Sequence, residues 1–243
     1  LFPYTTLFRS DRAAFEGSRS QRRDDLLLYL AMMQFSGLRP PPLHALPDGA
    51  RADIKDLCGS YATAQAEARE FLFALGRPER VKASAQASRV GKLLPGHLYV
   101  HRSAEEECPA LLRLILFAAR QLVGELAYDL AKLALDGQAV SFLRYDDFDD
   151  DPHPALRRSV RVFLPRATFS VMEYAAQENP PILHRKDAFV TQDYPYYARF
   201  RRLTEQEEAA ELLGGPTIGN RQAWQELLAA RGLRIEDHEL RPV

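Results

Sequence analysis

The chain has 243 residues, a formal net charge of -1 and a pI near 6.7, so no global basic excess marks a nucleic-acid binder, and any such role has to come from a local patch. With 46% hydrophobic and 27% charged residues, it has ordinary globular composition, enough for one large domain or two small ones. Cys58 and Cys108 stand far apart with no CxxC or Cys/His spacing, which argues against a zinc finger or disulfide scaffold and fits reduced thiols in a cytoplasmic protein.

The opening LFPYTTLFRS lacks the charged start, apolar stretch and cleavage site of a secretory signal. The codons CTC TTT CCC TAC ACG ACG CTC TTC CGA TCT encode it in order, and that DNA resembles the tail of a sequencing-library adapter. Residues 1–10 are therefore expected to be a scar without essential core contacts, Phe2, Tyr4 and Phe8 included, with the native chain continuing upstream of Asp11.

Residues 11–123 read as a helical region. Leu26, Leu27, Leu30, Met33 and Phe35 recur at near-helical spacing and predict a helix over 21–35, stopped by Gly37 and the prolines 40–42. A short helix is expected over 50–57. Ser60 then caps a longer one that ends at Gly76, and a weaker segment covers 79–87. Leu98 to His101 reads as a short strand, and 109–123 as a buried helix. The most apolar stretches are too short or too charge-broken for a membrane span, so no membrane partner is expected.

Residues 124–243 read as an α+β region. YDLAKLA and AVSFLRY flank Asp136-Gly137, a strong hairpin signal, and SVRVFL and TFSVMEY flank residues 165–167 as a second pair. Four strands in a small antiparallel sheet follow. A helix is expected over 195–203, and Thr204 with Glu207 reads as a capping box opening another that ends at Gly214-Gly215. Asn220 to Gly232 bounds a last helix, and LRIEDHEL closes the chain as an edge strand. The expected fold class is thus α+β, mainly helical first, then a small antiparallel sheet with C-terminal helices.

Three stretches carry candidate chemistry. RYDDFDDDPHP offers Asp146, Asp147, Asp149, Asp150, Asp151 and His153. An EF-hand starting at Asp147 would need Gly and Glu where Pro152 and Arg158 stand. A magnesium-dependent nuclease or hydrolase using Asp147, Asp149, Asp151 and His153 stays open beside a solvated loop. The second stretch runs from His184 to Arg202. Lys186 with Arg185, Arg199, Arg201 and Arg202 faces only Asp187 and Asp193, five cations less two anions, a local +3 interleaved with tyrosines. Such a pattern can hold a phosphate backbone while rings stack on bases, or can be an ordinary helix with a solvated basic face. The third, VGKLLPGHLYVHRS, presents Lys92, His97, His101 and Arg102. No G-x-G or Walker A motif occurs, so no nucleotide or S-adenosylmethionine loop is readable here.

Taken in order, QRRDDLLLYLAMMQF, GSYATAQAEAREFLFALG, VGKLLPGHLYVHRSA, DFDDDPHPAL, NPPILHRKDAFV, RLTEQEEAAELL and IGNRQAWQELLAARGL resemble the C-terminal region of the DNA phosphorothioation-associated methyltransferase family, over about 21–240. A proline expected between Tyr145 and Asp146 is missing. The resemblance implies an upstream Rossmann-like domain that binds S-adenosylmethionine, with no cofactor in this region itself. It makes the present region an accessory module that positions nucleic acid or a partner protein for that domain. Lys92, His101, Arg102, His184, Arg185 and Lys186 would contact anions, and Arg199, Arg201 and Arg202 would clamp the backbone. A structural module whose apolar residues 26–35 pack on the missing domain is a further alternative.

Overall fold

The computed structural model describes residues 4–37, 40–215 and 218–243, and for 4–15 the backbone alone. The expectation for the side chains of Phe2, Tyr4 and Phe8 lies outside the described residues.

Helix α1 (Tyr4–Phe35) is followed by α2 (Asp48–Asp53), a π turn (Ile54–Cys58), α3 (Tyr61–Phe73) and α4 (Pro78–Gln86). The Ser60 hydroxyl accepts the Thr63 N–H at 3.1 Å and caps α3. The apolar stripe of α1, Leu26, Leu27, Leu30 and Ala31, is buried against α3 and Leu114. Those four residues face the interior of this chain, whereas Tyr29 and Phe35 of the same helix are each 39% exposed.

Strands β1 (Lys92–Leu94) and β2 (His97–His101) precede α5 (Ala110–Val123). After it come β3 (Leu130–Ala134), β4 (Ala139–Tyr145), β5 (Leu156–Phe163) and β6 (Thr168–Glu173). The six strands form an antiparallel meander in chain order, two more than the hairpin signals predict, because β2 pairs with β3 and β1 pairs with β2. At the β3–β4 turn Gly137 has φ 73°, and a Cβ there would lie 3.0 Å from Val81, so the turn needs glycine for its backbone and for its packing. Helix α5 lays Leu111, Leu112, Ile115 and Ala119 on one sheet face, against Leu98, Val100, Phe142 and Val162.

The opposite face, carrying Leu130, Leu143, Tyr145 and Leu156, is closed by Phe148, Leu183, Phe189 and Phe200. Phe200 belongs to α6 (Tyr197–Ala209). This helix corrects the predicted break at Thr204: it runs straight through, because Phe200, Leu203, Thr204 and Glu207 share its buried side at i, i+3, i+4 and i+7 spacing. Thr204 caps nothing; its hydroxyl donates to Asp187 Oδ1 at 2.6 Å. Helix α7 (Arg221–Ala230) follows. The closing segment is a hairpin, β7 (Leu233–Glu236) and β8 (Glu239–Pro242), instead of one edge strand. Asp237 and His238 form its two-residue turn with φ 48° and 61°, the left-handed geometry of a tight hairpin. The α+β class and the order of helices before sheet hold.

Candidate functional site

The acidic stretch and the basic stretch meet. The β4–β5 connection, 146–155, lies against 182–190 and α6, and there Lys186 and Arg199 of the basic stretch donate to backbone carbonyls of the acidic one, with Arg199 also 3.8 Å from Asp150. Lys186 is buried, and its ammonium donates to Phe148 O at 2.8 Å, Asp151 O at 2.6 Å and His238 Nε2 at 3.0 Å. It also sits 3.9 Å from the centre of the Phe200 ring. Burial, then the nearby Arg199 guanidinium, pulls this lysine down to about 7. Accepting from Lys186 requires His238 to be neutral at Nε2, and burial followed by the Lys186 charge pushes the imidazole down to about 3.

Beside Lys186 lies a second cluster. The His153 and His184 rings lie 4.5 Å apart between centres, tilted by 50°, and the Trp224 ring stands 4.8 Å from the first and 4.5 Å from the second. His184 Nε2 lies 2.7 Å from Ile218 O. A carbonyl only accepts, so Nε2 carries the proton and Nδ1 holds a lone pair. That Nδ1 is buried without a hydrogen-bond partner among the described residues. His153 Nε2 is 2.7 Å from Glu207 Oε1, yet neither atom is aligned for a hydrogen bond, and Trp224 Nε1 is likewise unpartnered. Glu207 is 1% exposed and His153 8%. Burial raises the Glu207 carboxyl and lowers the His153 imidazolium, so both are driven toward their neutral forms. An unsatisfied buried polar atom costs about 1–3 kcal/mol, which makes four in one place an arrangement that calls for a partner. His153, His184 and Glu207 each bring one ligand atom to within 4.8 Å of the others, a donor set of metal-ligating type.

The remaining predicted residues fall around this hub. His101 is buried, takes the Ser103 N–H on Nδ1 at 3.2 Å, and stacks on Phe148 at 4.8 Å. Burial, then Arg102, lowers it to about 4. Arg185 pairs with Glu208, and Arg201 with Glu205 at 2.7 Å and Asp187 at 3.4 Å. Arg202 reaches Glu239 at 3.4 Å, while Arg199 donates to Asp149 O and lies over Tyr196. Lys92 sits 5.4 Å from the Phe189 ring, and Arg102 is exposed.

The acidic side chains diverge. Asp146 pairs with Arg157 at 3.0 Å, Asp149 accepts the Tyr194 hydroxyl at 2.8 Å, and Asp151 accepts the His153 N–H at 2.9 Å. Asp150 stands 3.8 Å from Arg199, and Asp147 lies at the left-handed corner of the loop with φ 46°. The cluster takes His153 from the acidic set and His184 from the basic one. It adds Glu207 and Trp224, while His238 joins through Lys186. No protein-family model, curated protein or solved structure matches the chain. No described helix is long and apolar enough to cross a membrane.

Proposed function

We propose that this region is a non-catalytic accessory module that positions a protein partner, the methyltransferase domain implied by the sequence resemblance, and that the partner docks along β6. The observation that carries this reading is that all six residues of β6 are exposed, with Phe169, Val171 and Met172 at 51%, 52% and 56%. Phe169 and Val171 sit opposite Val162 and Val160, so they continue the row of apolar side chains that α5 covers on β5. One edge of β6 bonds to β5, and the other meets no strand among the described residues. An apolar row with a free edge suits a folded protein that adds a strand or extends the helical layer, and offers nothing to a phosphate backbone.

Nucleic-acid positioning draws less support. Arg185, Arg199, Arg201 and Arg202 are held by carboxylates or a carbonyl, which leaves Lys92 and Arg102 without an ion pair among the described residues. Two phosphate contacts correspond to a shallow salt slope of roughly -2.

The test titrates the chain against the separately expressed methyltransferase domain of a full-length member of that family. A Phe169→Asp/Val171→Asp variant is expected to lose about tenfold or more in affinity with its melting temperature unchanged, since neither side chain is in the core. Equal affinity for variant and wild type rejects the β6 surface. DNA binding with a steep salt slope, and no binding of the domain, rejects the reading altogether.

A further inference from the structure

We propose that His153, His184 and Glu207 bind a divalent transition-metal ion of zinc type, through His153 Nε2, His184 Nδ1 and Glu207 Oε1. The inference is independent of the docking role of β6, since it rests on the interior of the opposite sheet face.

Three observations converge. The tautomer of His184 is fixed from outside, because Ile218 O occupies its Nε2 proton at 2.7 Å and leaves the Nδ1 lone pair pointing into a buried space without a donor to meet it. A metal-bound histidine has this arrangement, one nitrogen on the ion and the other donating to a backbone carbonyl that orients the ring. His153 Nε2 and Glu207 Oε1 are both more than nine-tenths buried, in contact at 2.7 Å, and misaligned for the hydrogen bond that would make the contact favourable. A cation between them removes the mismatch, since it binds the deprotonated carboxylate and the neutral imidazole together. The third observation is the donor set itself. Two imidazoles and one carboxylate, walled by the Trp224 ring, match zinc or its neighbours in the first transition row, whereas calcium and magnesium take oxygen ligands.

The fit asks for small adjustments. Zinc holds nitrogen and oxygen at about 2.0–2.2 Å in a tetrahedron, which places ligand atoms roughly 3.3 Å apart. The 2.7 Å contact has to open and the wider gaps, none beyond 4.8 Å, have to close. Glu207 lies in α6, His153 in the β4–β5 connection and His184 in the segment leading to Lys186, so side-chain rotation supplies the movement without breaking a strand. A water completes the tetrahedron. Because the ligands come from three separate segments, the ion joins the C-terminal elements to the sheet and favours the folded chain.

The experiment uses the whole chain, stripped with a chelator and then titrated with zinc and with cobalt. One equivalent of metal is expected to bind, to raise the melting temperature, and with cobalt to give the visible bands of a four-coordinate site. His184→Gln and Glu207→Gln should each weaken zinc binding by more than the roughly 10–100-fold that outer-shell changes cost. Both should keep the wild-type circular dichroism in the absence of metal. Should either variant fail to fold, the cobalt spectrum and the zinc-induced histidine NMR shifts of the wild-type chain decide, since coordination by zinc moves the ligating ring nitrogens of His153 and His184 the most. No uptake and no thermal shift at saturating zinc overturns the proposal. So does uptake that persists in both folded variants, which assigns the metal elsewhere.

Discussion

The two faces of the β1–β6 sheet are closed by opposite chemistries. On one, α5 and the helices behind it bring leucines, isoleucines and alanines that need only area, and the main polar group there, Glu105, is satisfied by Tyr128 at 2.7 Å and Arg120 at 2.6 Å. On the other, the end of β2, loops and α6 bring His101, His153, Lys186, Asp187, Glu207 and His238 into the interior among phenylalanines. The first face gains from burial whatever the pH. The second is bound to particular protonation states, because Lys186 must find acceptors and the histidines must stay neutral.

Breaking the comparison on the helical side should have the largest effect. Phe142→Ala removes a fully buried ring from between α5 and the sheet and is expected to cost about 3–5 kcal/mol, by the same amount at pH 7 and pH 5, in urea unfolding. The polar side is expected to show the reverse, a loss that pH alone produces. His101 and His238 have folded values near 4 and 3, below the ordinary 6.5, so the unfolded chain takes up protons first, and stability drops as pH falls below 6.5. At pH 5 each contributes a loss of about 2 kcal/mol. Glu207 works against this trend. Its raised carboxyl favours the folded state at low pH, and that contribution fades as pH rises from about 4.5 toward 7. Unfolding midpoints between pH 7.5 and 5 check the balance, and a flat profile would contradict the polar reading.

Much of the fold was legible because it rests on local rules. The stripe of α1, the Ser60 cap, Gly137 in its hairpin and the apolar run of α5 each act through neighbours in sequence or through simple periodicity. Strand β1 was missed because three residues with two exposed leucines carry no alternation to read. The capping-box reading of Thr204 and Glu207 failed because tertiary burial outweighed a local motif. The i, i+3, i+4, i+7 series from Phe200 to Glu207 held the better signal, a threonine and a glutamate inside an apolar stripe.

The candidate site was half legible. His153, His184 and Lys186 were singled out, but their partners Glu207, Trp224 and His238 lie far along the chain, and only the packing of α6, α7 and the last hairpin brings them in. Charge counting along the chain could not show the partners of this stretch: part of the local +3 of 184–202 is met by Glu205, Glu208 and Glu239 and by backbone carbonyls from elsewhere in the fold.

The central claim, that this face is closed by neutral histidines in fixed tautomers, is tested most directly by long-range proton–nitrogen NMR of the imidazole rings in the metal-free chain from pH 8 to 5.5. The account predicts that His101, His153, His184 and His238 stay neutral throughout, with the proton on Nε2 in His184 and on Nδ1 in His238. Titration of these rings near pH 6.5, or a proton on His184 Nδ1, would contradict it.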